Sequence, residues 1–315
     1  MKQHSPVITV TLNPALDKTV TIERFEYGGL NRIKDMRTDA GGKGINVAKV
    51  LKQFSLDVTA MGLIAGFQGQ VIQEKLKKLG IRSVFLDTEG ETRTNLKVVD
   101  EQTKQTTELN EPGITAQSSK LQDFIARFEA ELSSASLAVL GGSLPPGTPA
   151  DYYGTLIESA KNKQVRTILD ADGEALKQGI EAIPFAIKPN IHELEMLTGR
   201  TFTTDEQIIS AAGALIERGI EYVAVSMGGE GSLLVSRTEA VRARPFPITP
   251  MSTVGAGDSM VATLVYCFLQ ELSLEQTARW TSAAGTITAS KPGTQVCSLP
   301  EVQARIDDVI IKRYP

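Results

Sequence analysis

The segment Ser252-Thr253-Val254-Gly255-Ala256-Gly257-Asp258-Ser259 runs directly into the apolar stretch Met260–Leu269. Two glycines flanking a small alanine, followed by a helical run, describe a turn whose backbone N–H groups converge at the positive end of a helix. Such a turn holds an anion. Asp258 would stand beside that anion rather than neutralise it from afar. A carboxylate there suits removal of a proton from a hydroxyl as the hydroxyl attacks a phosphoryl group. The competing reading is that Asp258 merely caps the helix, a role aspartate often fills.

A second stretch, Asp39-Ala40-Gly41-Gly42-Lys43-Gly44-Ile45-Asn46, closes an irregular segment and opens a helix. Its glycines let a ligand approach the backbone, while Lys43 and Asn46 offer a charge and a bidentate amide in the first turn. That combination suits a polyhydroxylated ligand bearing phosphate. Upstream, Asn13-Pro14-Ala15-Leu16-Asp17 follows the first strand, and ligands of open α/β sheets bind at strand C-termini, so Asp17 could accept from two sugar hydroxyls. Taken singly, Asp17 also reads as a solvated turn and the glycines as a tight connection. Two familiar phosphate loops are excluded. Gly41-Gly42-Lys43 continues with Gly44 instead of Ser or Thr, and Gly255-Ala256-Gly257 lacks a glycine three residues on and comes late in the chain.

These residues need rigid elements to hold them. Apolar β-branched runs at Val7–Leu12, Val58–Ile64, Leu137–Leu140, Val165–Leu169, Phe185–Ile187 and Tyr222–Ser226 predict strands covered on both faces. Between them, Ile45–Phe54, Gln70–Leu79, Leu121–Leu132, Tyr152–Asn162 and Gln207–Arg218 carry the three-four spacing of crossover helices, which predicts a mainly parallel, doubly wound sheet. Two excursions break this rhythm. About thirty residues separate the first strand from the Ile45 helix, too many for an ordinary βα loop. Within them Thr19–Phe25 alternates polar and apolar residues, as Thr94–Leu109 does later. Both read as single-layer strands exposed on one face, forming a small β lid over the site, with a decorative hairpin or a dimer contact as the alternative.

The 315 residues fit one large α/β unit, with 41% hydrophobic and 22% charged residues, as in a soluble globular chain. A net charge of −4 removes the field that would gather nucleic acid, so any anion must be held locally. Cys267 and Cys297 have no CxxC spacing and read as buried thiols. No signal peptide and no run of about 18 apolar residues is visible, which makes the cytoplasm the expected compartment and no membrane the expected partner.

Five motifs, Asn13–Asp17, Gly41–Asn46, Gly142-Ser143-Leu144-Pro145-Pro146-Gly147, Lys188-Pro189-Asn190 with Glu193, and Thr253–Asp258, resemble in order and spacing the phosphofructokinase B branch of the ribokinase-like sugar kinases. The resemblance runs from about Val7 to the last helix and is closest to 1-phosphofructokinases and tagatose-6-phosphate kinases. It implies a ribokinase-like three-layer α/β/α fold. One kinase domain would span residues 1–315, its lid built from about 14–38 and 91–110. It also implies ATP-dependent phosphorylation of a ketohexose monophosphate to a bisphosphate, first of fructose 1-phosphate, then tagatose 6-phosphate, then fructose 6-phosphate. Rival readings are a kinase for an unphosphorylated sugar or nucleoside and a non-catalytic sugar-phosphate sensor.

By this resemblance Asp258 is the base, and Gly255, Ala256 and Gly257 supply N–H groups to the phosphoryl in flight. Asp17, Gly41, Gly42 and Asn46 hold sugar hydroxyls. Lys43 and Arg93 pair with the phosphate already on the substrate, with Ser143 adding a hydrogen bond and Arg32 a weaker candidate for the same task. Lys188, Asn190, Ser226, Gly228, Gly229 and Gly231 surround the nucleotide, and Asn190 with Glu193 hold Mg2+, largely through water. ATP and Mg2+ are the implied cofactors and a K+ requirement stays open; the oligomer stays open too, with the lid strands offering a surface through which a homodimer could form. Some 6-phosphofructokinases of the branch have glycine at the position of Lys43 and lysine at that of Leu30, which favours the other two activities. His192 and His4 receive no catalytic duty.

Overall fold

The structure, a computed structural model, describes residues 5–314; His4 lies outside the described residues. Its backbone is a ten-stranded sheet ordered β14-β13-β12-β11-β10-β9-β8-β1-β4-β5. The strands are β1 (Val7–Thr11), β4 (Val58–Ile64), β5 (Arg82–Asp87), β8 (Leu137–Gly141), β9 (Arg166–Asp170), β10 (Ala186–Ile187), β11 (Tyr222–Ser226), β12 (Ser232–Val235), β13 (Ala240–Arg244) and β14 (Ile310–Tyr314). From β5 across to β11 every pairing is parallel, and β12, β13 and β14 continue antiparallel at one edge. Two apolar cores explain why the central strands read as unbroken hydrophobic runs. In β1, Val7 packs into one core, while Ile8 and Val10 pack into the other. Helices α1 (Lys43–Gln53), α2 (Gly66–Lys78), α8 (Ala256–Leu269) and α9 (Leu274–Ala289) cover the first face. The second face is covered by α3 (Ser118–Leu132), α4 (Tyr152–Asn162), α5 (Gly173–Gly179), α6 (Ile191–Thr198) and α7 (Asp205–Glu217). A short α10 (Leu299–Gln303) precedes β14. With both faces buried, the parallel strands have no polar alternation to show.

A second sheet, ordered β3-β2-β6-β7, stands apart and is built from β2 (Ala15–Ile22), β3 (Ile33–Gly41), β6 (Arg93–Asp100) and β7 (Thr106–Asn110). Residues 33–41, read from sequence as irregular, are thus a strand. They pair along β2 from Ala15↔Gly41 to Ile22↔Ile33. Successive strand residues point to opposite faces. The pairings Asp17↔Asp39, Asp17↔Asn95, Thr19↔Arg37 and Thr19↔Lys97 therefore gather the charged residues on one face. That face is turned to the body of the protein: Lys97 is buried, and Arg37 and Asp39 both hydrogen-bond Thr294 of the main unit. The other face carries Val20, Ile22, Leu96 and Val98, with Ile33 and Met36 exposed beside them. Among the described residues no helix is long and apolar enough to cross a membrane. Cys267 and Cys297 are buried free thiols.

Candidate active site

α1 begins where the end of β3 meets the end of β1. Gly44 is obligatory there, because a Cβ on it would stand 2.5 Å from the Val10 carbonyl oxygen. The hydroxyl of Thr11 accepts from Ile45 N–H at 3.0 Å, tying the helix start to β1. Gly41 faces Asp17 so closely that its Cβ would lie 2.5 Å from the Asp17 carboxylate. Asn46, one turn into α1, donates through Nδ2 to Asp258 Oδ2 at 2.8 Å and accepts from Lys49 Nζ at 3.2 Å.

Asp258 is the third residue of α8, behind an N-cap Gly255 with φ 79° and no side-chain capping bond. It is therefore not the cap of its helix. Only 8% exposed, it is deprived of water. Burial and then the Asp170 charge push its pKa up to about 6, against the hydrogen bond from Asn46 and the charges of Lys43 and Lys188. A carboxylate so tuned is ionised near neutrality yet basic enough to take a proton. In the turn itself, Val254 N–H is engaged by Ser252 Oγ and Ala256 N–H by the Thr253 carbonyl at 3.3 Å. Lys188 Nζ adds a cation 3.5 Å from where a Gly257 Cβ would be.

Asp170, absent from the sequence reading, organises these cations. It ends β9 at 2% exposure, with Lys43 Nζ at 3.0 Å and Lys188 Nζ at 3.4 Å. Burial alone would raise its pKa; Lys188 and Lys43 outweigh that and hold it below the usual carboxylate range. Its Oδ2 is buried without a partner. Lys43 is raised above the ordinary lysine value, because Asp170 overcomes the desolvation that would lower it. The visible signal was an aspartate closing a buried parallel strand, at the sheet edge where ligands of such folds bind.

Under the small sheet, Asp17 accepts from Asn95 Nδ2 at 3.2 Å and lies 3.5 Å from Lys97 Nζ. Arg93 donates to the carbonyls of Asn13 at 3.0 Å and Glu111 at 3.2 Å, while its Nε is buried and unpartnered. Asn13 Nδ2 reaches Ser143 Oγ at 3.4 Å, so Arg93, Asn13 and Ser143 form one cluster. Arg32 is not brought to it. Exposed and just outside the Ile22↔Ile33 pair, it is five strand residues from the Asp17 position, roughly 17 Å away.

On the other flank, Asn190 and Glu193 form a reciprocal capping box at the start of α6: Asn190 Oδ1 accepts from Glu193 N–H and Glu193 Oε2 from Asn190 N–H, each at 2.8 Å. Among the described residues no group of three His, Cys, Asp or Glu could hold a metal. Glu193 is nonetheless near enough to Lys43 to raise that lysine's pKa. A single carboxylate in that position fits an ion that keeps its water shell. Ser226 bridges Asn190 across β10 and β11, and Gly228 and Gly229 follow in a short 3-10 turn closed by Gly231. His192 is an exposed residue of α6. A cavity of about 590 Å³ lined by Tyr222, Phe268 and Leu274 lies at the opposite ends of the strands and holds none of these groups.

The candidate residues thus follow consecutive strands along one sheet edge: Asn13 after β1, Ser143 after β8, Asp170 at β9, Lys188 and Asn190 after β10, Ser226 at β11. Four strand spacings span about 19 Å, and Asp258 stands near the middle of the row, beside Asp170 and Lys188. A model of the pfkB family of carbohydrate kinases matches residues 10–302. The chain belongs to that family. It is 40% identical to the 1-phosphofructokinase of Xanthomonas campestris pv. campestris, with 88% of each chain covered. It is 37% identical to that of Bacillus subtilis over 90% of this chain and 92% of the relative. Among solved structures, phosphofructokinase-2 from Escherichia coli in complex with potassium superimposes with a TM-score of 0.92 at 29% identity, covering 96% and 99% of the two chains. Another structure of that enzyme is of a tetrameric inhibited form. This pfkB-family chain is therefore a sugar kinase on the ribokinase-like α/β fold, transferring phosphate to a hydroxyl.

Proposed function

We propose that the protein transfers the γ-phosphoryl of ATP to a primary hydroxyl of fructose 1-phosphate, yielding fructose 1,6-bisphosphate and ADP. The observation that carries the reading is the buried Asp258 carboxylate, hydrogen-bonded on one side by Asn46 and set in the first turn of α8 beside Lys188. Asp258 takes the proton of the attacking hydroxyl. Gly255 and Gly257 N–H groups, with Lys188, oppose charge on the phosphoryl oxygens, and the Ala256 N–H joins them on release from its long 3.3 Å bond to the Thr253 carbonyl. Asp17 and the glycine edge at Gly41 and Gly42 orient sugar hydroxyls. Arg93 and Ser143 hold the resident phosphate, and Lys43, with three donors, serves Asp170 and a phosphate oxygen together. Asn190, Ser226, Gly228, Gly229 and Gly231 wall the nucleotide. Glu193 and Asn190 would hold Mg2+ through its waters, and the ion supplies charge neutralisation between the terminal phosphates.

The small sheet serves as a lid whose charged face closes over the sugar and excludes water. Its apolar outer face, with Ile33 and Met36 exposed, suits pairing of two copies through their lids. Purified enzyme offered fructose 1-phosphate, tagatose 6-phosphate, fructose 6-phosphate and fructose, with and without K+, tests the assignment. The highest kcat/KM is expected for fructose 1-phosphate. Equal or faster turnover of unphosphorylated fructose would sink it.

A further inference from the structure

An asparagine amide presents ends of nearly equal shape and opposite polarity, and only its neighbours decide which end faces a carboxylate. Asn46 meets Asp258 with Nδ2 at 2.8 Å and Lys49 with Oδ1 at 3.2 Å. An ammonium has donors only, so Lys49 compels the carbonyl end of the amide toward itself and the NH2 end toward Asp258. Lys49 is itself anchored from the other side, donating to the Ala40 carbonyl where β3 runs into α1. We propose that Lys49 is a positioning residue for phosphoryl transfer: by locking the Asn46 amide it keeps a donor on one Asp258 oxygen and leaves the other oriented for the acceptor hydroxyl. The proposal rests on Asp258 being the base. Lys49 touches neither substrate nor the reacting atoms.

The charges around the two groups fix the sign of the effect. Asp258 is faced by Asp170 at the end of β9, Lys43 and Lys49 on α1, and Lys188 after β10. Lys49 is faced by Asp39 and Arg37 on β3, Asp17 on β2 and Asp258 on α8; burial lowers its pKa against the pull of the three carboxylates. Removing this cation makes ionised Asp258 less favourable, so the base should titrate at higher pH. On its far side Lys49 lines a cavity of about 490 Å³ shared with Lys52, Lys291, Thr294 and Glu301. A small amine can therefore reach the position its ammonium would vacate.

The experiment uses Lys49→Ala, Lys49→Arg and Asp258→Asn with the full chain. In Lys49→Ala, kcat should fall about tenfold or more while both KM values change little, and the acid limb of kcat should move up by about half a pH unit or more. Ethylammonium should restore turnover saturably and tetramethylammonium, which has no N–H, should not. Lys49→Arg should keep most of the rate. A Lys49→Ala rate within twofold of wild type, or a loss with an unmoved acid limb and no rescue by ethylammonium, overturns the proposal. If Lys49→Ala does not fold, Lys49→Gln is judged by the same acid limb. Should Asp258→Asn turn over normally, the assignment of the base fails; should it be inert while Lys49→Ala behaves as wild type, only the positioning role fails.

Discussion

Asp258→Asn should make this protein more stable, by an amount that depends on pH. The Asp258 pKa is raised from an ordinary 3.8 to about 6 in the fold, so the folded state holds its proton more tightly than the unfolded chain does. The stabilising contribution is then fully present below about pH 3.8 and is lost as pH rises toward about 6, above which the ionised carboxylate is a constant burden. Asparagine resembles the protonated form and carries no such burden. A two-unit gap corresponds to about 3 kcal/mol at pH 8 and roughly half that at pH 5. For a chain of this length the larger figure is about 4 to 5 °C in Tm. Calorimetric melts of wild type and variant at pH 5 and pH 8 measure it. A variant less stable than wild type at pH 8, or a gain equal at both pH values, would refute the reasoning.

Two further changes separate the halves of the site. Lys43→Ala should raise KM for the sugar phosphate tenfold or so while KM for ATP moves far less; steady-state kinetics with each substrate varied in turn would show equal effects if the pocket assignment is wrong. Glu193→Gln preserves a side chain able to complete the capping box, so Tm should change by less than a degree or two. The Mg2+ concentration for half-maximal rate should nevertheless rise severalfold, and an unchanged Mg2+ titration would remove Glu193 from the metal's surroundings.

How much of this was legible depended on what each segment buries. β4, β11 and α4 were bounded correctly because each is an apolar run or a helical stripe facing a core on its own account. β3 was not, since Lys34-Asp35-Met36-Arg37-Thr38-Asp39 has neither a run nor a clean alternation of apolar residues. One of its faces meets solvent and the other meets Thr294, a partner 255 residues from Asp39 that no local pattern announces. α9 escaped because between Leu274 and Ile287 its buried face is made of alanines, threonines, a serine and a glycine, small residues that carry little hydrophobic signal. β14 pairs with a segment far away in the chain, and β13, which follows β12 in a hairpin, is only five residues long with two arginines in it; both were likewise silent.

The site divides the same way. Asp258, Asn46 and Lys188 stand in contiguous motifs and could be named from sequence. Asp170 and Lys97 owe their importance to contacts between segments far apart in the chain, Lys97 reaching Asp17 over 80 residues and Asp170 reaching Lys43 over 127, while Lys49 acts through its near neighbours Asn46 and Ala40. Lys43 itself was expected free for phosphate and instead carries an ion pair with Asp170. Strand alternation gave the correct faces of the small sheet but not which face looked inward, because an active-site wall is as polar as a solvated one.

The most direct measurement of the account is turnover by Asp258→Asn with fructose 1-phosphate and MgATP, alongside equilibrium binding of each substrate to the same variant. Binding within a few fold of wild type together with a loss of kcat of about a hundredfold or more is the predicted result. Turnover within tenfold of wild type, with binding intact, would contradict it.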